Sequence, residues 1–221
     1  MLGLREVGGH VTLQTMSTRD ALVAEVRRQI LSGELRPGAP LTETALAAAF
    51  GVARPTVRSA LQVLESLHLA QQSAGRSLVV PVLTAADVRD LFFVRTPLEL
   101  EAVRVIVEQG RDLRRAGERL REMTALPARA GWAERVEAHT AFHVALIEAA
   151  GSARLNLIYP ALQEEMRLCL AQLHGSYPGP RDLAREHQQL LAEISSGDLG
   201  RAQHEMRAHL ERALRNLLPP P

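Results

Sequence analysis

Leu41-Thr42-Glu43-Thr44-Ala45-Leu46-Ala47-Ala48-Ala49-Phe50-Gly51-Val52-Ala53-Arg54-Pro55-Thr56-Val57-Arg58-Ser59-Ala60-Leu61 carries two helix starts separated by one helix stop. Thr42 is a natural N-cap, because its hydroxyl can accept a free amide of the first turn, and Glu43 suits the positive end of the helix dipole. Gly51 can take the left-handed conformation that ends a helix. Arg54-Pro55 then opens another, since proline is tolerated in a first turn whose amides have no intrahelical partner. Val57, Leu61 and Leu64 form its apolar stripe, with Ala60 between them, and the spacing predicts a helix to about Leu67.

Upstream, Ser17 or Thr18 caps a helix with Asp20 in its first turn. Leu22, Val26 and Ile30 recur every four residues along it, and Ser32-Gly33 ends it before the turn Leu35-Arg36-Pro37-Gly38. Downstream, Ala70 to Pro81 reads as two short extended segments, the second ending in Val79-Val80, around a Ser/Ala/Gly turn. Helix, helix, tight turn, helix and hairpin within about 65 residues is the order of a winged helix-turn-helix. The third helix would enter the major groove with Arg54, Thr56 and Arg58 at its leading end. Arginine can bond guanine O6 and N7 with two parallel donors, and threonine can bond phosphate or touch a thymine methyl. Gly75-Arg76 at the wing tip would let backbone and guanidinium approach phosphates or the minor groove.

The bulk composition agrees with a helical DNA binder. Ala, Leu, Arg and Glu are abundant and aromatics make up only 3% of the 221 residues, so the core is aliphatic. Every basic residue is Arg. Residues 17–83 hold seven Arg against five acids, whereas 84–221 hold eighteen against nineteen, so the basic excess is small and lies in the N-terminal part. The single Cys169 excludes an internal disulfide and sits in an apolar helical run as a buried thiol. No apolar stretch is long enough to span a membrane, and the first residues lack a secretory pattern, so a cytoplasmic protein is expected.

Three segments are expected: a flexible tail over 1–16, the winged helix-turn-helix over 17–83, and an antiparallel all-α bundle over 84–218. Thr84 caps the first bundle helix. Helices are predicted at about 85–109, 112–124, 132–150, 153–174, 180–196 and 198–217, with Pro97 and Pro160 as kinks or boundaries. His139 and His143 stand four apart on one helical face, where two imidazoles can share a metal; a satisfied or exposed histidine pair has the same pattern.

The stretch from Ile30-Leu31-Ser32-Gly33-Glu34-Leu35-Arg36-Pro37-Gly38 through Phe50-Gly51-Val52-Ala53-Arg54 to Leu61 resembles the GntR family of bacterial transcriptional regulators, over about residues 19–82. The resemblance implies operator reading by Arg54, Thr56 and Arg58, with wing contacts near Gly75. Three positions depart from the family pattern: Thr44 replaces a basic residue, Ala53 a serine, and His68 a glycine. Residues 84–218 resemble the FCD ligand-binding domain of the FadR subfamily, through Val94-Arg95-Thr96-Pro97-Leu98-Glu99, the run from Phe142-His143 to Gly151-Ser152, Glu186-His187-Gln188-Gln189-Leu190-Leu191 and Met206-Arg207-Ala208-His209-Leu210. That resemblance implies a divalent metal held by His143, His187 and His209, with His139 where the family carries Asp. Four neutral imidazoles suit Zn or Ni. It also implies Arg95 as a clamp for a small organic acid, though an ion pair with Glu99 at i+4 is the alternative use of that side chain.

The expected protein is a ligand-responsive regulator, acting as a repressor, that binds a palindromic operator as a homodimer. A metal-sensing regulator without an organic effector is the alternative. A metal-dependent hydrolase is remote, because Thr140 follows His139 where a zinc protease needs a glutamate base, and no nucleophile elbow or phosphate loop is present. A sequence-indifferent structural DNA binder would differ by lacking preference for one palindrome.

Overall fold

The structure, a computed structural model, describes residues 16–75, 77–127, 129–173 and 180–218. Residues 1–15 of the tail expected over 1–16, Arg76 at the wing tip and residues 174–179 lie outside the described residues.

The N-terminal part contains α1 (Thr18–Leu31), α2 (Glu43–Phe50), α3 (Arg54–Ser66) and a two-stranded antiparallel sheet of β1 (Gln71–Gln72) and β2 (Leu78–Val79). Each start has its physical cause. Ser17 caps α1 by accepting from the Asp20 amide, and Thr42 caps α2 by accepting from the Ala45 amide. Ala53 at the N-cap of α3 offers no side-chain acceptor, as its methyl requires. Gly51 ends α2 at φ 64°, the left-handed turn on which the helix-turn-helix depends. His68, which stands where a glycine was expected, takes φ 57° after α3.

One feature of the wing is not visible in the sequence. The segment around Pro40 bridges to Val79, and the Leu41 amide donates to Leu78 O at 2.8 Å while the Val80 amide donates to Ala39 O at 3.0 Å. The hairpin is thereby tied to the chain entering α2. Leu22, Val26, Ile30, Leu46, Val57, Leu61 and Leu64 close the core beneath it.

The rest is a helical bundle of α4 (Ala85–Gln109), α5 (Arg114–Thr124), α6 (Trp132–Ala149), α7 (Ala153–Leu173), α8 (Pro180–Ser195) and α9 (Leu199–Leu217). These match the expected helices within one or two residues at most ends. Thr84 and Asp87 form a reciprocal capping box at the start of α4. Pro97 and Pro160 end neither α4 nor α7, which run through them as single elements. The two cores are not independent. Leu168 of α7 is buried in the N-terminal core while its neighbours Cys169 and Leu170 are buried in the bundle core. Among the described residues no helix is long and apolar enough to cross a membrane.

Candidate functional site

Two sites emerge, one at the surface and one buried. At the surface, Arg54 and Arg58 project from the leading end of α3 with about 60% of each side chain exposed (62% and 60%). Glu43 of α2 stands between them. Arg58 donates from Nε to Glu43 Oε1 at 2.6 Å and from Nη2 to Oε2 at 3.0 Å, and Arg54 Nη2 reaches Oε2 at 3.4 Å. Hydrogen bonding from Arg58 holds the Glu43 carboxyl below its ordinary range. Thr56 is half-buried in the first turn of α3, and Gly75 is exposed in the wing. A cleft of about 400 Å³ runs between these elements, lined by Thr42, Glu43, Thr44, Arg54, Arg58 and Leu78 among others. Glu43 was read in the sequence only as a helix-start residue. Its role in fixing two guanidiniums comes from packing of α2 on α3.

The buried site is built from α4, α6, α7, α8 and α9. His139 and His143 lie one turn apart on α6, and His187 of α8 and His209 of α9 face them. One ring nitrogen from each falls within 4.8 Å of the others. His143 donates from Nδ1 to Glu99 Oε2 at 2.9 Å, and His187 donates from Nδ1 to Leu183 O at 2.7 Å. In a neutral ring whose Nδ1 carries the proton, Nε2 presents a lone pair. Those two Nε2 atoms lie 3.3 Å apart, and His209 Nε2 lies 3.4 Å from that of His143. Nitrogens held by one tetrahedral ion at about 2.0–2.1 Å stand about 3.3–3.4 Å apart. The two observed spacings equal the edge that such a tetrahedron would have, and the donor set fits a borderline-soft divalent cation.

The electrostatics favour the ligating form. Burial is the largest influence on His187 and, with the neighbouring His143, pushes it down to about 3. Burial likewise drives His139 and His209 well below the ordinary histidine value, reinforced by the adjacent imidazoles. Neutral rings keep their lone pairs for metal at physiological pH.

Glu99 supports the site from α4. Its Oε1 accepts from Arg95 Nε at 3.0 Å, Arg95 Nη2 at 2.7 Å and the Tyr159 hydroxyl at 2.7 Å. Tyr159 in turn accepts from Gln163 Nε2 at 2.5 Å. Burial raises the Glu99 carboxyl, but Arg95, His143 and Tyr159 together outweigh it and hold Glu99 ionised. Arg95 is 1% exposed, and of the two uses expected for it the ion pair with Glu99 is present. Its Nη1 remains buried without a hydrogen-bond partner, as does Gln163 Oε1. One nitrogen of the guanidinium is thus left over among the described residues. Tyr159 and Gln163 are not singled out by the sequence, because α7 also carries Asn156, Glu164, Glu165, Arg167 and Gln172 and no pattern sets these two apart.

Residues 90–212 match the FCD domain, and residues 18–80 match the gntR family of bacterial regulatory proteins. The HTH-type transcriptional regulator LutR of Bacillus subtilis is 29% identical over 207 residues, covering 82% of this chain and 92% of that protein. The "Probable D-xylose utilization operon transcriptional repressor" of Paenarthrobacter nicotinovorans is 27% identical and covers 87% of each chain. A crystal structure of a GntR transcriptional regulator from Rhodococcus sp. RHA1 superposes with a TM-score of 0.79 at 27% identity, covering 90% of this chain and 96% of that one.

Proposed function

Since this chain belongs to the GntR family of bacterial transcriptional regulators and carries an FCD domain, we propose that it is a homodimeric repressor whose residues 17–83 read a palindromic operator and whose residues 84–218 bind a divalent metal and a small organic acid. The observation that carries the effector half is the pair of lone-pair-bearing Nε2 atoms of His143 and His187 at 3.3 Å. Two ring nitrogens so close in a buried site need either a shared proton or a cation between them, and a third imidazole nitrogen at 3.4 Å favours the cation. His143, His187 and His209 would hold the ion, with His139 as the neighbouring fourth imidazole. The bound ion would supply a Lewis-acidic position for a carboxylate oxygen. Arg95 Nη1 would take a second oxygen, while Glu99 orients both Arg95 and His143. The acid can alter operator binding only by favouring one arrangement of the molecule over another.

Operator reading is assigned to Arg54, Thr56 and Arg58, with Gly75 and Arg76 at the wing. Glu43 sets the two guanidiniums side by side before DNA arrives. Selection of binding sites from random duplexes should return an inverted repeat, because a two-fold protein reads two half-sites. On that sequence Arg58→Ala should lose about 1–3 kcal/mol of specific binding. Unchanged affinity and sequence preference in Arg58→Ala would refute the recognition-helix assignment.

The homodimer reading has support in a groove of about 880 Å³ between α4 and α9, floored by Phe92, Pro97, Leu210 and Leu214. Phe93 beside it is 78% exposed. Arg207 and Glu211 stand one turn apart on its rim, an arrangement that an antiparallel two-fold copy satisfies twice. Phe93→Glu should convert the dimer to monomer in sedimentation and weaken operator binding by about 2 kcal/mol or more. A Phe93→Glu protein that stays dimeric would place the interface elsewhere.

The acid effector is tested by thermal shift of metal-loaded and chelator-treated protein against small organic acids. Stabilisation by one class of acid only with metal present is the expected result. A response to metal alone, transmitted to operator affinity, would favour the metal-sensing alternative.

A further inference from the structure

Beside the shared packing at Leu168, the winged helix is tied to the bundle by the guanidinium of Arg27. Arg27 of α1 donates from Nε to Glu164 Oε2 at 2.7 Å and from Nη2 to Glu164 Oε1 at 3.0 Å, a two-pronged pair. Its Nη2 also reaches Glu137 Oε2 at 3.4 Å. Arg167 completes the ring, with Nε and Nη2 on the two oxygens of Glu137 at 3.0 and 3.1 Å and Nη1 on Glu164 at 2.8 Å. Arg167 is buried and Glu164 and Arg27 are largely so, while Glu137 is 56% exposed, so the Arg27–Glu164 pair is the drier half of the ring. Ion pairs in such partly dry surroundings are far less screened than surface pairs.

The placement of the two acids connects this ring to the buried site. Glu137 lies two residues before His139 on α6, and Glu164 directly follows Gln163 on α7. Each helix therefore carries site residues on one side and the Arg27 clamp on another. A helix packed in a dense core moves as a stiff body, so a shift of about 1–2 Å at its site face appears at the clamp face. Hydrogen bonds of 2.7–3.0 Å do not stretch by that amount; they break or re-pair. The chain connection between the two parts offers no independent route. Gln172 of α7 donates to Pro81 O at 2.8 Å and accepts from the Leu83 amide at 3.2 Å, so the connection too is held by α7.

We propose that Arg27 is the positioning residue through which occupancy of the His139–His143–His187–His209 site is passed from α6 and α7 to the winged helix. The inference rests on the metal reading of that site. It is tested on the full chain by hydrogen exchange, comparing zinc-loaded with chelator-treated protein. In the unaltered protein zinc should slow exchange in α6 and α7 and also in α1, by about fivefold or more. Arg27→Gln should keep its zinc and the slowing in α6 and α7 while α1 no longer responds. Glu164→Gln, of the same shape, should act alike. Arg28→Gln should behave as the unaltered chain, because Arg28 bonds only to Glu25 and Glu34 of its own segment. Zinc that slows α6 and α7 but not α1 in the unaltered protein overturns the inference, as does an α1 response that survives Arg27→Gln. Failure of the unaltered protein to retain zinc overturns the metal reading and this inference with it.

Discussion

Glu99→Ala should lower the unfolding free energy by about 3–5 kcal/mol, because it strands the charge of a buried arginine. Arg95 is 1% exposed, and Glu99 Oε1 accepts from both its Nε and its Nη2. The same substitution leaves the Tyr159 hydroxyl and His143 Nδ1 without their acceptor. For a chain of this size the expected fall in melting temperature is about 10 °C. The double change Glu99→Ala with Arg95→Met should recover part of it, since removing both partners leaves no buried charge. A loss below about 1 kcal/mol in the single variant would mean that water reaches Arg95, and would remove the argument for a dry anion site. Glu99 also contributes stability above its unfolded value near 4.5, which is lost as pH falls below that point, because its folded carboxyl is held lower.

The second large effect concerns metal. Zinc at about a thousand times its dissociation constant should stabilise the unaltered chain by about 4 kcal/mol, a rise of about 8–16 °C in melting temperature. His143→Ala should bind no zinc and show no such rise, because His143 Nε2 is the atom that both His187 and His209 approach. DNA binding by the metal-free variant should persist, since α3 and the wing share no residue with the site. Equal zinc content in His143→Ala and the unaltered protein would show that the imidazoles are a buried polar cluster rather than a metal centre.

These predictions differ in how far the sequence foreshadows them. The order of caps, Gly51 and the apolar stripe of Val57, Leu61 and Leu64 makes Arg58 an expected DNA contact, and its side chain lies exposed on α3. The histidines were a mixed case. Four-residue spacing put His139 and His143 on one face, and that face exists. Their meeting with His187 and His209 was implied only by resemblance to a family. Arg95 was read with two uses, and the structure shows the Glu99 pair while leaving one nitrogen over. The service of Glu99 to His143, across 44 residues of chain, has no trace in local pattern.

What the sequence by itself determined was everything decided within a few turns of chain. Caps at Thr42 and Thr84, the left-handed turn at Gly51, the helical stripes and the leading arginines of α3 follow from local hydrogen bonding and periodicity. Only the tertiary structure decided which polar groups meet. It brought the Nε2 atoms of His187 and His209 to 3.3 and 3.4 Å from that of His143, gave Glu99 to Arg95 and His143 at once, placed Glu43 between two guanidiniums, and closed Arg27 on Glu164 across 137 residues. The reason is that these contacts are set by how rigid helices pack against one another. Such packing depends on the shape of the whole core, whereas a cap or a turn depends on its immediate neighbours.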